Sequence, residues 1–417
     1  MTGIKKEVKH LVSFLEKWTE LDVMYYVRGG AWLFSTQFLL ILGSLALAIG
    51  FAHLTSKEIF GQFQFVLAVL GTLSVLSFPG ANTAVLLGAS QNKDGTLLQG
   101  VLYKFKRSFL GILGLVIVAI YFYSKHEPRY ESIWPIFLVA IIFFPILYSL
   151  DVTHSFFVGK RKFSLTCLFQ LITEFGSSVT ALIALFFTRN LIIILTLYLL
   201  VQAFGDVLAF TFARAHMKNK KTDSEFNSYS THLTFINLIP YIKSFFDKLV
   251  VTYFLGFAAT AVYSIAAAMA EQLYAVSKNV GNIIFPKLSI ESKEKTYVEV
   301  RKRTGKLALF FILIAVLAVL LAPVIIPFFF SEQYRDAVPI AQLLLLASIP
   351  RAIAFVLSRV QEAQKQTKKL YVINSVYAGV EIVALLALAP LYGMYGIVGA
   401  KAVSNLVYMV IAWRKTY

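Results

Sequence analysis

Residues 304–330 read TGKLALFFILIAVLAVLLAPVIIPFFF, and this stretch indicates the fold class of the whole chain. Beyond Lys306 it contains no charged residue, and as a helix rising 1.5 Å per residue it is long enough to cross ~30 Å of hydrocarbon. Comparable apolar stretches lie near residues 29–53, 60–86, 107–123, 133–157, 163–187, 190–213, 233–256, 260–286, 336–360, 369–390 and 392–413. The sequence therefore predicts an all-α polytopic membrane protein with about twelve transmembrane helices.

The composition of the chain supports a membrane location. Hydrophobic residues make up 58% of the 417 residues and charged residues only 15%, whereas soluble domains average about 25% charged residues. The net charge of +17 is of the kind that nucleic-acid-binding domains carry, but no segment is long and polar enough to form one, so no nucleic-acid partner is predicted. The single cysteine, Cys167, lies in an apolar run and offers no disulfide or CxxC pair. No metal site or cofactor is predicted.

The basic residues of the loops predict the orientation of the spans. With a cytoplasmic N-terminus, 28 of the 39 Lys and Arg residues fall in cytoplasmic segments and five in outer loops. The positive-inside rule then places the chain in the cell (inner or plasma) membrane with both termini in the cytoplasm. Residues 1–28 lack the apolar core and cleavage site of a signal peptide. They are typical of either a cationic amphipathic helix on the membrane surface or a solvated extension.

The chain divides into two halves of six spans each. Its most polar break is 214–232, RAHMKNKKTDSEFNSYSTH, which we interpret as a cytoplasmic linker. The predicted divisions are an N-terminal segment 1–28, a first lobe 29–213, the linker 214–232 and a second lobe 233–417. Two motifs of the first half recur in the second. Tyr130 to Pro135 recurs 204 residues later as Tyr334 to Pro339, and Lys162 with Glu174 recurs 207 residues later as Lys369 with Glu381. This spacing predicts a parallel repeat with a pseudo-two-fold axis along the membrane normal.

Six basic residues fall inside the predicted spans, and all of them belong to the second half. They are Lys243, Lys248, Lys278, Arg351, Arg359 and Lys401. A charge near the bilayer centre costs about 2.5–3.5 kcal/mol, so such residues face a wet cavity or a partner. Arg359 is close enough to a cytoplasmic end to reach water there, and Lys278 either does the same or faces the cavity. Lys248 and Arg351 lie deepest, and they either bind an anionic ligand or form internal ion pairs.

Carboxylates in the spans give the second set of candidate residues. The second half contains Asp247, Glu271 and Glu381, which are too few to neutralise its deep cations, so the sequence predicts a cavity of net positive charge that attracts anions. Asp247 shares a helix face with Lys243 and Glu271 with Lys278, so these residues also form possible ion pairs. The ion-coupling candidates, for H⁺ or Na⁺, are Glu174, Asp247, Glu271 and Glu381. Asp151, His154 and Asp206 lie nearer the cytoplasmic ends, where solvent reaches them.

Several short motifs resemble those of one known family. They are LTSKEIFGQF at 54–63, DKLVV at 247–251, FLG at 254–256, AVYSIA at 261–266 and the segment 323–339. With these motifs, residues 25–415 resemble the polysaccharide (Wzx-type) flippases of the multidrug/oligosaccharidyl-lipid/polysaccharide (MOP) exporter superfamily. The sequence departs from that family at His53 and Ala261, where members often have Arg and Gly. The segment 79–82 also lacks a basic residue often found nearby, so a substrate-holding cation of the first half is not expected.

The resemblance implies a function in glycan assembly. Its members flip an oligosaccharide on polyprenyl diphosphate, of the undecaprenyl type that carries O-antigen units, from the cytoplasmic to the outer leaflet by alternating access. Membrane lipids and other polysaccharide-assembly membrane proteins are the implied partners. The cations found inside the spans, Arg351, Lys248, Lys243, Lys278 and Lys401, are the candidate substrate-binding residues, and their charges suit a diphosphate.

Two alternative functions remain open at this point. A cation-coupled multidrug antiporter of the MATE type is disfavoured because it needs an acidic cavity. A membrane-embedded glycan ligase or polymerase would need catalytic groups on an outer loop. The longest such loop, 124–132, offers only His126, Glu127 and Glu131, so no enzyme and no catalytic residue is predicted.

Overall fold

The computed structural model describes residues 23–125, 133–290, 293–364 and 366–416. Within these ranges every regular element is a helix. Most of the N-terminal segment 1–28, together with Tyr130 of the first repeated motif, lies outside the described residues. The helices form two lobes of six spans, as the hydropathy pattern predicts.

In the described part of the first lobe there are nine α-helical segments. They are α1 (Val23–Leu54), α2 (Lys57–Leu73), α3 (Gly80–Ser90), α4 (Thr96–Ser124), α5 (Trp134–Leu150), α6 (Val152–Gly159), α7 (Phe163–Gln170), α8 (Gly176–Phe187) and α9 (Leu191–Ala215). A 3₁₀ turn at Ser74–Ser77 lies between α2 and α3, and a π-helical turn at Leu171–Phe175 joins α7 to α8. Asp151 alone separates α5 from α6. These pairs each form one interrupted span, which gives six spans in the lobe.

Among the described residues, the second lobe contains six helical segments. They are α10 (Phe226–Ile236), α11 (Leu238–Leu255), α12 (Phe257–Ile290), α13 (Lys293–Phe330), α14 (Ala337–Ala363) and α15 (Thr367–Thr416). The last segment is two spans, because Gly393 interrupts it with a positive φ of 57° that residues with side chains rarely adopt. The kink lies next to the boundary between the two predicted stretches 369–390 and 392–413.

Nine helical segments of the described ranges are long and apolar enough to cross a bilayer, and the last of them, 47 residues long, holds two spans. The remaining two spans of the twelve are α11 and α12. They are less apolar because α11 carries Lys243, Asp247 and Lys248, and α12 carries Glu271 and Lys278. The prediction of about twelve transmembrane helices is confirmed, and these two most polar spans both contribute to the candidate site described below.

The two lobes meet at the end of the bundle that carries the turn between α1 and α2, called here the far end. Gly61 of α2 lies so close to α12 that an added Cβ would be 1.7 Å from the carbonyl oxygen of Phe257. The ring of Phe65 also packs against Phe257, with 5.6 Å between centroids. Small residues permit such close helix contact in membranes. The far end of the bundle is therefore closed by direct contact between the lobes.

The linker lies at the opposite end, called here the linker end, and it folds back onto the first lobe. Lys93 forms an ion pair of 2.8 Å with Asp223, and the backbone N–H of Lys218 donates to Asp94 over 2.7 Å. Phe226 is buried among residues of the first lobe. Its burial explains why α10 begins at residue 226, within the segment 214–232 that the sequence analysis assigns to the linker.

Candidate functional site

A cavity of about 410 Å³ lies in the second lobe, among α11, α12, α14 and α15. Its lining consists of Pro240, Lys243, Ser244, Asp247, Glu271, Tyr274, Lys278, Arg351, Asn374, Tyr377, Ala378, Lys401 and Tyr408. The volume is within the 300–1,000 Å³ typical of small-ligand sites. Six of the nine residues predicted from sequence to bind substrate or ions therefore line one space.

Lys401 is the centre of a buried ion network on one side of this cavity. Its Nζ lies 2.7 Å from Asp247 and 2.7 Å from Glu381. Glu381 is fully buried and also forms an ion pair with Lys243, with 3.0 Å between Oε2 and Nζ. Asp247 accepts a further hydrogen bond of 2.7 Å from the hydroxyl of Tyr263. Each charge in the network has an opposite partner, as charges held inside a membrane require.

This network replaces one of the ion pairs considered in the sequence analysis. Lys243 and Asp247 lie four residues apart on α11, but each pairs with a residue of α15 instead. The reason is that α15 brings both a cation and a carboxylate against the same face of α11. The ring of Tyr377 lies 3.9 Å below the Lys243 ammonium and adds a cation–π contact.

Arg351 and Glu271 form a second ion pair, with 2.5 Å between Nη1 and Oε1. The Arg351 guanidinium also stacks on the ring of Tyr274 at 3.8 Å. Glu271 therefore pairs with Arg351 and not with Lys278, which was the other arrangement considered. Lys278 lies 4.8 Å from the same ring and lines the cavity. Within the described residues it has no carboxylate at ion-pair distance.

Lys248 occupies a different position from the other candidate cations. Its Nζ donates a hydrogen bond of 2.7 Å to the side-chain oxygen of Gln64, on α2 of the first lobe. It does not line the cavity, and among the described residues no carboxylate lies within ion-pair distance of it. The contact with Gln64 joins the lobes near the cavity.

The charges that line the cavity do not cancel. Four of the lining residues are basic and two are acidic, and the buried Glu381 behind them pairs with Lys243 and Lys401, so the site as a whole carries a net charge of +1. Tyrosine rings and aliphatic helix surfaces surround these charges, and such low-dielectric walls strengthen the attraction of an anion. The arrangement favours a ligand with concentrated negative charge, together with hydroxyl groups that meet Ser244 and Asn374.

A second cavity of about 300 Å³ continues from the first towards the linker end. The two cavities share Pro240, Asn374 and Tyr408. The second is also lined by Glu362 and Leu370, which lie next to the short connection between α14 and α15. Together they form a path from the linker end to the charged site, while the far end is closed.

Glu174, the remaining ion-coupling candidate, lies away from this site. It belongs to the π-helical turn of the first lobe, within electrostatic range of His154 and Asp206. These two residues contact each other at 3.4 Å. The structure thus brings Asp247, Glu271 and Glu381 together, and it places Glu174 in a separate polar group.

Lys104 is a buried charge that sequence reasoning missed. The positive-inside count treats it as a loop residue, but α4 begins at Thr96 and Lys104 is fully buried within it. Its Nζ pairs with Asp151 at 2.6 Å and donates to Asn82 over 2.9 Å. A cation from a different span, α4, thus lies beside segment 79–82, but it is held by Asp151 and does not line the substrate cavity. Asp151 is likewise an ion-pair partner and not simply solvated.

Solved structures with the same fold define the class of protein. The lipid II flippase MurJ, in an inward closed conformation, superposes with a TM-score of 0.73 and 18% identity, covering 92% of this chain and 87% of its own. An inward-facing multidrug resistance MATE family transporter of the MOP superfamily superposes with a TM-score of 0.65 and 12% identity, and the match covers 90% of this chain and 93% of that transporter. A MOP superfamily transporter from Pyrococcus furiosus with a binding pocket of reverse polarity superposes with a TM-score of 0.61 and 13% identity, and the match covers 94% of this chain and 95% of that transporter. The chain has the fold of the MOP transporters.

The sequence itself identifies the family. Residues 51–339 match the family described as "Polysaccharide biosynthesis protein", and the chain belongs to this family. A search of curated proteins gives no match. The resemblance to polysaccharide flippases is thus confirmed at the level of family and fold, and the protein is a multi-pass membrane protein.

Proposed function

We propose that the protein flips a lipid-linked oligosaccharide, carried on a polyprenyl diphosphate, from the leaflet at the linker end to the opposite leaflet. The observation that carries this proposal is the cavity of net positive charge in the second lobe. A diphosphate is a dense anion that arginine and lysine bind strongly. A cationic drug would be repelled by the same charges, which argues against the antiporter alternative.

In this proposal Arg351 and Lys278 bind the diphosphate. Both lie against the ring of Tyr274, on the same side of the cavity. Lys278 has no carboxylate partner among the described residues, and Arg351 exchanges Glu271 for a phosphate oxygen. The guanidinium of Arg351 is held by stacking on Tyr274 as well as by the ion pair. It therefore keeps its orientation during the exchange. Lys243 and Lys401 are neutralised by Asp247 and Glu381, so the charge that attracts the substrate comes from Lys278 and from Arg351 once it releases Glu271.

The sugars would occupy the polar part of the path between the two cavities. Asn374 and Tyr408 line both spaces and offer hydrogen-bonding groups and an aromatic face. The lipid tail stays in the bilayer, as its hydrophobicity requires. The structure corresponds to a state that loads from the linker end, with the lobes in contact at the far end. Rocking of one lobe against the other would then expose the cavity to the opposite side.

We further propose that the linker end is cytoplasmic, in the cell membrane, and that an H⁺ or Na⁺ gradient drives the reaction. Asp247 and Glu381 share Lys401, so protonation of one carboxylate, or a bound Na⁺, would weaken its hold on that lysine. Such a change would couple ion movement to the charge of the substrate cavity. Other membrane proteins of polysaccharide assembly would supply and consume the lipid-linked substrate.

The proposal is tested by flipping of a fluorescent polyprenyl-diphosphate saccharide in reconstituted vesicles. Arg351→Ala and Lys278→Ala are expected to lower the flipping rate at least tenfold while both variants insert and purify normally. Lys368→Ala, which removes an exposed cation outside the cavity, is the matched control and is expected to keep the full rate. Unchanged flipping by both cavity variants would show that the cavity does not bind the diphosphate.

A further inference from the structure

A second basic space lies at the linker end, outside the path described above. This groove of about 720 Å³ is formed by α4 and α10 and is lined by Tyr103, Lys106, Arg107, Asn227, Ser228, Thr231, His232 and Phe235. None of these residues lines the substrate cavity. The lining contains two permanent cations and a histidine but, among the described residues that form it, no Asp or Glu. It therefore attracts anions independently of the substrate cavity.

The side chains of the groove are held in place by specific contacts. The hydroxyls of Tyr103 and Thr231 lie 2.6 Å apart and form a hydrogen bond that joins α4 to α10. The Arg107 guanidinium stacks on the rings of Phe78 and Tyr103, at 4.7 and 5.6 Å. A stacked guanidinium keeps its N–H donors available at its edge, in the geometry that suits a phosphate. The groove is thus a prepared phosphate site.

The position of the groove along α4 matches the level of lipid head groups. The helix Thr96–Ser124 has 29 residues, so its length is ~43 Å and exceeds the ~30 Å hydrocarbon core by about nine residues. Counted back from Ser124, the hydrocarbon boundary falls near residue 105. Lys106 and Arg107 consequently lie at this boundary, and because helical side chains tilt towards the N-terminus of the helix, their cationic groups reach towards the phosphates of the linker-end leaflet.

The neighbouring surface of α4 suits acyl chains. Leu102, Phe105, Phe109 and Leu113 are all exposed, and they follow one another at helical spacing along one side of the helix. In a bilayer this surface contacts lipid tails. A head group in the groove would therefore place its own acyl chains against an apolar surface, which a soluble phosphate compound cannot use.

We propose that the groove binds the phosphate of an anionic phospholipid from the leaflet at the linker end, with Lys106 and Arg107 as its ligands. The bound lipid bridges the first lobe and α10. Since α10 leads directly into α11, which carries Lys243 and Asp247, the lipid stabilises the position of α11 in the state open to the linker end. Anionic lipids are thereby expected to favour loading of the transporter.

The test uses the full chain purified in a neutral detergent and native mass spectrometry of bound lipid. Phosphatidylglycerol is expected to bind the wild type, and the double variant Lys106→Gln/Arg107→Gln is expected to bind it about tenfold more weakly, because each basic residue near an anionic lipid contributes to affinity. Phosphatidylcholine is expected to bind neither protein specifically. Lys368→Gln/Arg414→Gln removes two exposed cations from the same end of the bundle and is expected to bind like the wild type.

Three results would overturn the proposal. They are equal binding of phosphatidylglycerol by the wild type and the double variant, equally tight binding of phosphatidylcholine, and full competition by inorganic pyrophosphate, which would make the ligand a soluble anion. If the double variant does not fold, the single variant Lys106→Gln tests the proposal. The Lys106 side chain is exposed, so its substitution is not expected to disturb the fold. Its expected effect is a several-fold loss of phosphatidylglycerol binding, and an unchanged affinity would refute the site.

Discussion

Lys57, at the start of α2, forms an ion pair with Asp336, which immediately precedes α14, with 2.6 Å between Nζ and Oδ2. The pair joins the first lobe to the second at the far end. Two further contacts accompany it, because His53 lies 3.0 Å from the carbonyl oxygen of Phe329 and Gln333 donates to the carbonyl of Ala52. These polar contacts would have to break before the cavity opens to that side.

We expect Lys57→Ala to shift the population of the transporter towards the state open at the far end. An exposed ion pair contributes only about 0.2–1 kcal/mol, so the shift is expected to be up to about fivefold. Distances between spin labels at Arg189→Cys and Glu332→Cys, in a Cys167→Ala background, would measure it. The charge-swapped pair Lys57→Asp/Asp336→Lys is expected to restore the wild-type distribution. Identical distributions in all variants would show that the pair does not hold the lobes together.

Lys401→Met is expected to destabilise the protein strongly. The substitution leaves Asp247 and Glu381 facing each other without the cation they share, and removing one partner of a buried ion pair costs about 3–5 kcal/mol. The midpoint of thermal unfolding in detergent would report the loss. Lys401→Met/Asp247→Asn, which also removes the orphaned charge and leaves Lys243 paired with Glu381, is expected to recover part of it. A single variant as stable as the wild type would mean that water already solvates these carboxylates.

Hydropathy and loop charge predict the fold well, because each span must by itself be long and apolar enough to cross the bilayer. The two spans with the least apolar sequence, α11 and α12, still follow from this pattern. The start of the seventh span does not, since α10 begins at Phe226 through burial against the first lobe. That contact depends on how the linker returns to the bundle, which no local pattern of the sequence encodes.

The candidate site shows the same division between local and tertiary information. Buried charges in predicted spans identify Lys243, Arg351 and Lys401 as residues in need of a cavity or partner. Which carboxylate each cation contacts depends on the packing of α15 against α11, so spacing along one helix does not reveal it. Lys104 was missed for another reason. The helix that contains it extends beyond the apolar stretch, and its partner Asp151 comes from a different span.

The Lys104 ion pair leads to its own prediction. Lys104→Met is expected to lower the free energy of unfolding by about 3–5 kcal/mol, because Asp151 would remain charged beside a fully buried apolar side chain. Lys125→Met, at the opposite end of the same helix, is expected to have little effect. Thermal unfolding of the purified variants measures both. The double variant Lys104→Met/Asp151→Asn is expected to be more stable than the single one, and a further loss would contradict the pairing.

The docking of the linker is expected to depend on pH. The hydrogen bond from Lys93 lowers the pKa of Asp223 below its ordinary value of 3.8. A carboxyl with a lowered pKa stabilises the folded state above its unfolded pKa, and this contribution is lost as the pH falls through the lowered value. Hydrogen exchange of the linker amides, corrected for the intrinsic pH dependence, is therefore expected to accelerate below about pH 4.

The matched variants separate this ion pair from general effects of acid. Lys93→Met is expected to give fast linker exchange already at pH 7, whereas Glu225→Gln, which changes an exposed carboxylate nearby, is expected to leave the exchange slow. If Lys93→Met exchanges as slowly as the wild type at pH 7, the linker is held by the burial of Phe226 and by its hydrogen bonds with Asp94 and Gln99.

Glu271→Gln distinguishes a carboxylate that competes with the substrate from one that helps to bind it. In the structure Glu271 forms an ion pair with the guanidinium of Arg351, and an incoming diphosphate must displace the Glu271 carboxylate. Removing its charge is expected to tighten the binding of a fluorescent polyprenyl diphosphate about tenfold, equivalent to ~1.4 kcal/mol. Glu362→Gln, which removes the partner of Arg359 outside the charged cavity, is expected to leave the affinity unchanged. Weaker binding by Glu271→Gln would instead show that the carboxylate positions Arg351 for the substrate, because the stacking on Tyr274 would then be too weak to hold the guanidinium by itself.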